Sequence, residues 1–313
     1  MRAGTAAEDS LQAVRTLCFG EAIVDLICRR PVTSLQEADA FVPYAGGVTA
    51  NVAVAAARAG ADVALAGGAG ADRWGTWLHD RLAAEGLDLR WFQLASGPAT
   101  ALAFVTVDEH GEPAYQLYGE GMAAAVQGLG GRLLDAVEAC GALFLTSNTL
   151  AGEHEAQLTM AARERALELG RPIVFDASLR LGRWSANPGR AGAAAGACVP
   201  GAFLVKCNEL EARLMTGESE PEAAAASLLA AGARHAVVTL GARGAILRSK
   251  GMRFDVGGRP ARVRSTVGAG DVFLGVLLAR LGVTDFYPPA LAAALPEAAA
   301  EAARACERWG ALE

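Results

Sequence analysis

Residues Val263-Arg264-Ser265-Thr266-Val267-Gly268-Ala269-Gly270-Asp271-Val272-Phe273 join small turn formers to a carboxylate at the head of an apolar run reaching Leu281. Glycine lets a backbone approach a ligand closely, and the first N–H groups of a helix point outward with partial positive charge. A turn of this kind can hold the charge on a phosphoryl group in transit, and Asp271 can take the proton of an attacking hydroxyl. Gly268, Ala269, Gly270 and Asp271 are therefore the candidate catalytic residues, on a predicted short strand, turn and helix. Taken alone, Gly-x-Gly-Asp is equally what a plain helix cap after a turn looks like. Two other nucleotide motifs are missing: there is no Gly-x-x-x-x-Gly-Lys-Ser/Thr, and Phe273 stands where a dinucleotide fingerprint has its third glycine.

The elements that must position this turn are legible in outline. Leu17–Ile27, Val63–Ala66, Leu143–Thr146, Ile173–Asp176, Phe203–Val205 and Ala236–Thr239 read as strands buried on both faces. Between them, Ala50–Ala59, Trp74–Glu85, Glu153–Leu169 and Pro221–Ala231 read as helices. This alternation predicts an α/β fold with a mostly parallel central sheet between helix layers, and ligands at the carboxyl ends of the strands. Two stretches break the rhythm: Cys28–Tyr44 is too polar for a core crossover, and Ala101–Val107 with Ala114–Tyr118 reads as a β-hairpin turning at Asp108–Gly111. Together they predict a small sheet projecting from the body, which needs packing, further strands or a second subunit for stability.

Bulk properties exclude several classes. The chain has 313 residues, 52% of them hydrophobic and 20% charged, which suits a large buried core rather than disorder. A formal charge of -6 gives no basic footprint for nucleic acid. Six cysteines and four histidines are scattered without metal-ligand or redox spacing, and read as buried or satisfied side chains. Residues 1–16 lack the apolar core of a signal peptide and read as a flexible tail; no apolar run is long enough for a membrane span, so a cytoplasmic protein is expected.

Several motifs in one order resemble the ribokinase-like (phosphofructokinase B) carbohydrate kinases, whose signature is close to Asp-Thr-x-Gly-Ala-Gly-Asp. Thr266, Gly268, Ala269, Gly270 and Asp271 match it. So do Gly20-Glu21-Ala22-Ile23-Val24-Asp25, Gly46-Gly47 followed by Asn51, and Gly70-Ala71-Asp72 with Gly75. Further on, Lys206-Cys207-Asn208-Glu209-Leu210-Glu211 resembles the family's Asn-x-x-Glu segment, and Thr239-Leu240-Gly241 with Gly244 its nucleotide loop. The likeness spans Leu17–Leu281.

The resemblance implies a kinase domain over residues 17–313: a three-layer sandwich with a small β-sheet lid contributed by segments about 28–44 and 98–120. It implies ATP-dependent phosphorylation of a sugar hydroxyl, with Asp25 at the end of the first strand, Gly46, Gly47, Asn51 and Arg180 on the sugar. Lys206, Asn208, Thr239, Gly241, Gly244 and Thr266 fall to the nucleotide, and Asn208 and Glu211 to Mg²⁺ through its waters. From the residues alone, Asn208-x-x-Glu211 is a helix cap. The family's lid also often mediates dimerisation, so a homodimer is compatible with it.

Asp176-Ala177-Ser178-Leu179-Arg180 with Trp184 resembles a segment of fructokinases and 2-keto-3-deoxygluconate kinases, with Ser178 in place of the usual asparagine. Arg180 fits either branch, as a guanidinium also suits a substrate carboxylate. Ser147-Asn148-Thr149-Leu150 and the hairpin favour the fructokinases. Ser265 stands where K⁺-activated members have aspartate, which leaves K⁺ dependence open. The chain ends at Glu313, where many relatives continue past the adenine, so looser nucleotide contacts are expected. A kinase-fold protein that binds sugar or nucleotide without turnover is the alternative from another class; a nicotinamide oxidoreductase lacks its glycine fingerprint here.

Overall fold

The computed structural model describes residues 15–184 and 187–313. The chain enters a main sheet as β1 (Thr16–Phe19) and leaves it as β2 (Ile23–Pro31) for a smaller sheet. After β3 (Val42–Gly46) it returns through α1 (Val48–Arg58), β4 (Val63–Gly70), α2 (Arg73–Ala84) and β5 (Asp88–Ala95). The hairpin β6 (Leu102–Val107) and β7 (Pro113–Tyr118) completes the smaller sheet. Next come α3 (Gly121–Leu129), α4 (Arg132–Ala139), β8 (Ala142–Thr146), α5 (Glu153–Glu168), β9 (Ile173–Asp176) and α6 (Pro188–Gly196). The chain ends with β10 (Leu204–Asn208), α7 (Glu209–Thr216), α8 (Pro221–Ala230), β11 (His235–Thr239), β12 (Ala245–Ser249), β13 (Met252–Val256), α9 (Ala269–Val283) and α10 (Pro289–Ala305).

The main sheet runs β13-β12-β11-β10-β9-β8-β1-β4-β5, parallel except where β12 pairs antiparallel with β11 and β13. Its strands are apolar at successive positions because both faces are covered. Cys18, Leu65, Phe144 and Val174 pack with α1, α2, α9 and α10 on one face. Leu17, Phe19, Leu143, Leu145 and Phe175 pack with the helices of the other. The smaller sheet runs β3-β2-β6-β7; β2 pairs antiparallel with β3 and parallel with β6. Ile27, Ala103, Val105 and Val107 on it pack against Val267 of the glycine turn.

Two expectations need correction, and a third lies mostly outside the described residues. Leu17–Ile27 is not one strand: Gly20–Ala22 breaks it, and the second half belongs to the smaller sheet, so Asp25 sits inside β2 opposite Tyr44 and Ala103 rather than at the end of the first strand. An apolar run says nothing about which sheet each half joins. Val263–Val267 forms no strand, because its N–H groups bond across to Cys306 and Gly111 instead of to a ladder. The expected tail lies outside the described residues except at Arg15, which bonds Asp62 and Asp88, and Thr16, which opens β1.

Candidate active site

Helix α9 starts on Gly268, whose φ of 74° is left-handed and suits glycine. Ala269 N–H turns back to the Thr266 carbonyl at 3.3 Å. The N–H groups of Gly268, Gly270 and Asp271 have no acceptor among the described residues, so these three are the free donors of the turn and Ala269 is not one of them. The approach to the turn is fixed from two sides. Arg264 and Ser265 N–H donate to the Cys306 carbonyl, and buried Ser265 accepts from Val267 N–H through Oγ. Thr266 is tied to the smaller sheet: its N–H and hydroxyl both donate to the Gly111 carbonyl at the tip of the β6–β7 hairpin, at 2.8 and 3.2 Å. Beyond α10, Ala311 occupies the space a side chain on Gly268 would need.

Asp271 is buried and its Oδ2 accepts from Asn51 Nδ2 at 2.8 Å, joining the starts of α9 and α1. Burial raises the Asp271 carboxyl, opposed by Arg180, the Asn51 hydrogen bond and Lys206. Asp25 is buried too, and its Oδ1 has no partner. Burial pushes its carboxyl up to about 7, opposed by Arg180. Gly46 is glycine because a Cβ there would fall 2.1 Å from Asp25 Oδ2, and Gly47, with φ 95°, starts α1 against the Glu21 carbonyl. Four residues after Gly47, Asn51 presents its amide to Asp271 and leaves its buried Oδ1 unpartnered. Such orphaned polar atoms call for an explanation, and a polyhydroxyl ligand supplies donors for both.

Arg180 comes from the loop after β9, its guanidinium 5.0 Å from the Tyr115 ring on β7. No carboxylate pairs with it among the described residues. Its surroundings in the cleft disfavour its charge although the side chain keeps an exposed face, and Tyr115, Asp271, Glu211 and Glu21 more than offset that. Tyr115 escapes the motif reading; alternation along β7 is the signal that could find it, since it fixes which side chains face the body. Ser178 holds the left-handed φ of 33°, a conformation that asparagine adopts more readily than serine.

Lys206 lies buried below the turn, its Nζ 3.1 Å from Asp176 and 3.0 Å from the position a Cβ on Gly270 would take. Burial favours a neutral amine, yet Asp176, Glu211 and Asp271 keep Lys206 charged. Asn208 and Glu211 form a capping box on α7: Asn208 Oδ1 accepts from Glu211 N–H and Glu211 Oε2 from Asn208 N–H, while Glu211 Oε1 accepts from Leu179 N–H. Glu211 therefore offers a metal only residual lone pairs, and no three His, Cys, Asp or Glu among the described residues are grouped to hold one. That fits an ion held through water and phosphate, not a protein cage. Thr239 pairs with Asn208 at the carboxyl ends of β10 and β11, with Gly241 in the next turn. Gly244 has a packing reason: a Cβ there would lie 2.0 Å from the Val256 carbonyl.

A buried carboxylate at a helix start, unclaimed amides beside it and a lysine underneath, at the carboxyl edge of a doubly covered parallel sheet, define a sugar kinase dependent on ATP. The chain belongs to the pfkB family of carbohydrate kinases, which it matches over residues 15–308. Fructokinase-2 of Solanum lycopersicum is 31% identical over 264 residues, covering 84% of this chain and 80% of that protein. The crystal structure of fructokinase from Vibrio cholerae O395, in fructose, ADP and calcium ion bound form, superposes with a TM-score of 0.83 at 30% identity, over 97% of this chain and 96% of that one. The PfkB protein from Polaromonas sp. JS666 superposes with a TM-score of 0.81 at 28% identity, over 96% and 98% of the two chains. The fold and family expectations hold; no helix among the described residues is long and apolar enough to cross a membrane.

Proposed function

We propose that the protein phosphorylates fructose, with Asp271 as base. The observation that carries this is the Asn51–Asp271 hydrogen bond next to the unpartnered Asp25 and the free amides of residues 268, 270 and 271. Asp271 takes the proton of the attacking hydroxyl as its oxygen bonds to the γ-phosphorus; the bond from that phosphorus to the bridging oxygen breaks and ADP leaves. The amides and Lys206 offset charge on the transferring group. Asp25 and Asn51 accept from sugar hydroxyls, with Gly46 and Gly47 leaving room. Asn208 and Glu211 would hold Mg²⁺ through water, and that ion would offset further phosphate charge. Thr239, Gly241 and Gly244 border the nucleotide.

The smaller sheet acts as a lid: its hairpin tip bonds Thr266, and Tyr115 reaches over the cleft to Arg180. Closure excludes water from the phosphoryl group and so limits ATP hydrolysis. Leu117 and Tyr118 on the edge strand β7 stay exposed and suit a homodimer through this sheet. Ser265 offers a hydroxyl, not a carboxylate, so turnover without K⁺ is proposed, in the cytoplasm.

Arg180, free of any carboxylate among the described residues, favours one second reading: a keto-acid sugar such as 2-keto-3-deoxygluconate. A coupled assay for ADP release over fructose, that keto acid, ribose, inositol and nucleosides separates the two. Fructose is expected to give the highest kcat/KM, and Arg180→Ala to cost about tenfold on it but about 10²-fold on a carboxylated sugar. Binding without turnover on every sugar overturns the enzyme reading.

A further inference from the structure

The chain passes between the main and smaller sheets four times: at Gly20–Ala22, at Gly47, between β5 and β6, and at Gly119–Glu120. Two carboxylates with no assigned role hold these crossings, Glu21 from within the first and Asp72 from the turn between β4 and α2. Glu21 is only 4% exposed, and no cation pairs with it among the described residues. Instead, neutral donors fill both oxygens. Oε1 accepts from Val48 N–H at 3.0 Å and Asn148 Nδ2 at 2.7 Å; Oε2 accepts from Thr49 Oγ1 at 3.0 Å and Thr146 Oγ1 at 3.5 Å. Its carbonyl accepts from Ala50 N–H at 3.2 Å, so this residue also caps the start of α1. The first two crossings are thereby fastened to each other and to the carboxyl end of β8.

Asp72 does the same for the other pair. It caps α2 through Gly75 N–H at 2.9 Å and accepts from both Thr100 N–H and Thr100 Oγ1 at 2.7 Å. Thr100 lies on the third crossing, and the fourth is tied to it by Gly121 N–H on the Ala99 carbonyl at 2.7 Å. These two clusters join the four connections in pairs, beside backbone bonds such as Gly20 N–H on the Ala66 carbonyl at 3.0 Å, and lie where a motion of the smaller sheet would turn.

We propose that Glu21 and Asp72 are the two pivots of the smaller sheet, positioning residues that fix where it can sit over the cleft. This rests on the reading of that sheet as a sugar-site lid. Glu21 lies in the crossing that leads into β2, four residues before Asp25, and holds the head of the helix that carries Asn51. It thus sets the spacing of the two sugar-facing groups relative to Asp271. Substrate contact is not required of either carboxylate.

Glu21→Gln and Asp72→Asn keep the side-chain shape but turn an acceptor into a donor that faces donors. Each is compared with the unaltered protein by hydrogen exchange and by steady-state kinetics on fructose. Amide exchange in β2, β3, β6 and β7 is expected to rise at least tenfold, with exchange in α9, α10 and β8–β11 unchanged. The sugar KM is expected to rise about tenfold with a smaller loss in kcat, and sugar-independent ATP hydrolysis to increase. Thr49→Val and Thr100→Val, which each remove one hydroxyl donor, serve if the carboxylate variants do not fold, with the same pattern at lower amplitude. An exchange increase spread evenly over the molecule, or none in any folded variant, overturns the proposal. Exchange is read without turnover, so a protein inactive on every sugar sinks the kinase reading and leaves the pivots to be judged separately.

Discussion

Asp271→Asn is expected to lower kcat for sugar-dependent ADP release by about 10²-fold or more, the range of a positioned general base. Substrate binding and stability are expected to hold. The asparagine is nearly isosteric, and its carbonyl can still accept from Asn51 Nδ2, the bond that joins α9 to α1. Burial already disfavours the charge on Asp271, so a neutral amide relieves a desolvation cost and the melting temperature is expected to stay level or rise. Calorimetric ADP binding and a melting curve, run beside the kinetics, separate loss of chemistry from loss of structure. A kcat within tenfold of the unaltered enzyme, with both controls normal, rules Asp271 out as the base.

Asp271 is legible in the amino-acid sequence through several ordered motifs together, since a glycine turn ahead of an apolar helix equally suits a plain helix cap when taken alone. Strands such as Ile173–Asp176 are equally clear, because a strand covered on both faces must be apolar throughout. Sequence reasoning fails where the decisive partner is remote. Nothing within Leu17–Ile27 says that its halves join different sheets; the break depends on Glu21 meeting Asn148, 127 positions away. Thr266 matches a family motif, yet its bonds are taken up by a hairpin tip 155 residues earlier. The capping box of Asn208 and Glu211, by contrast, is readable from spacing alone, since both partners lie within one helical turn. The strands β5 and β13 escape a periodicity reading because their partly exposed positions blur the apolar pattern, and β12, though buried, because it is short and carries Arg248.

Asp25→Asn is expected to separate function from stability in opposite directions. A carboxylate that accepts two hydrogen bonds from sugar hydroxyls contributes about 1.5–3 kcal/mol for each, so the sugar KM should rise about 10²-fold or more. The unliganded protein behaves differently. Asp25 has an ordinary value of 3.8 and is raised by burial to about 7, so folding favours its protonated form. The stability it contributes is fully present below the unfolded value and is lost as pH rises through about 7. Above that pH the enzyme holds a buried charge whose cost is on the order of a few kcal/mol, and an asparagine carries none. The variant's melting temperature should therefore exceed that of the unaltered protein at pH 8, with the gap closing towards pH 5. The same titration acts on substrate: the unaltered enzyme's sugar KM should climb as pH falls through about 7, and the asparagine variant's should not follow. A melting-temperature difference independent of pH between 5 and 8 would mean that Asp25 is not a buried acid awaiting hydroxyl donors, and the sugar site would have to be sought elsewhere.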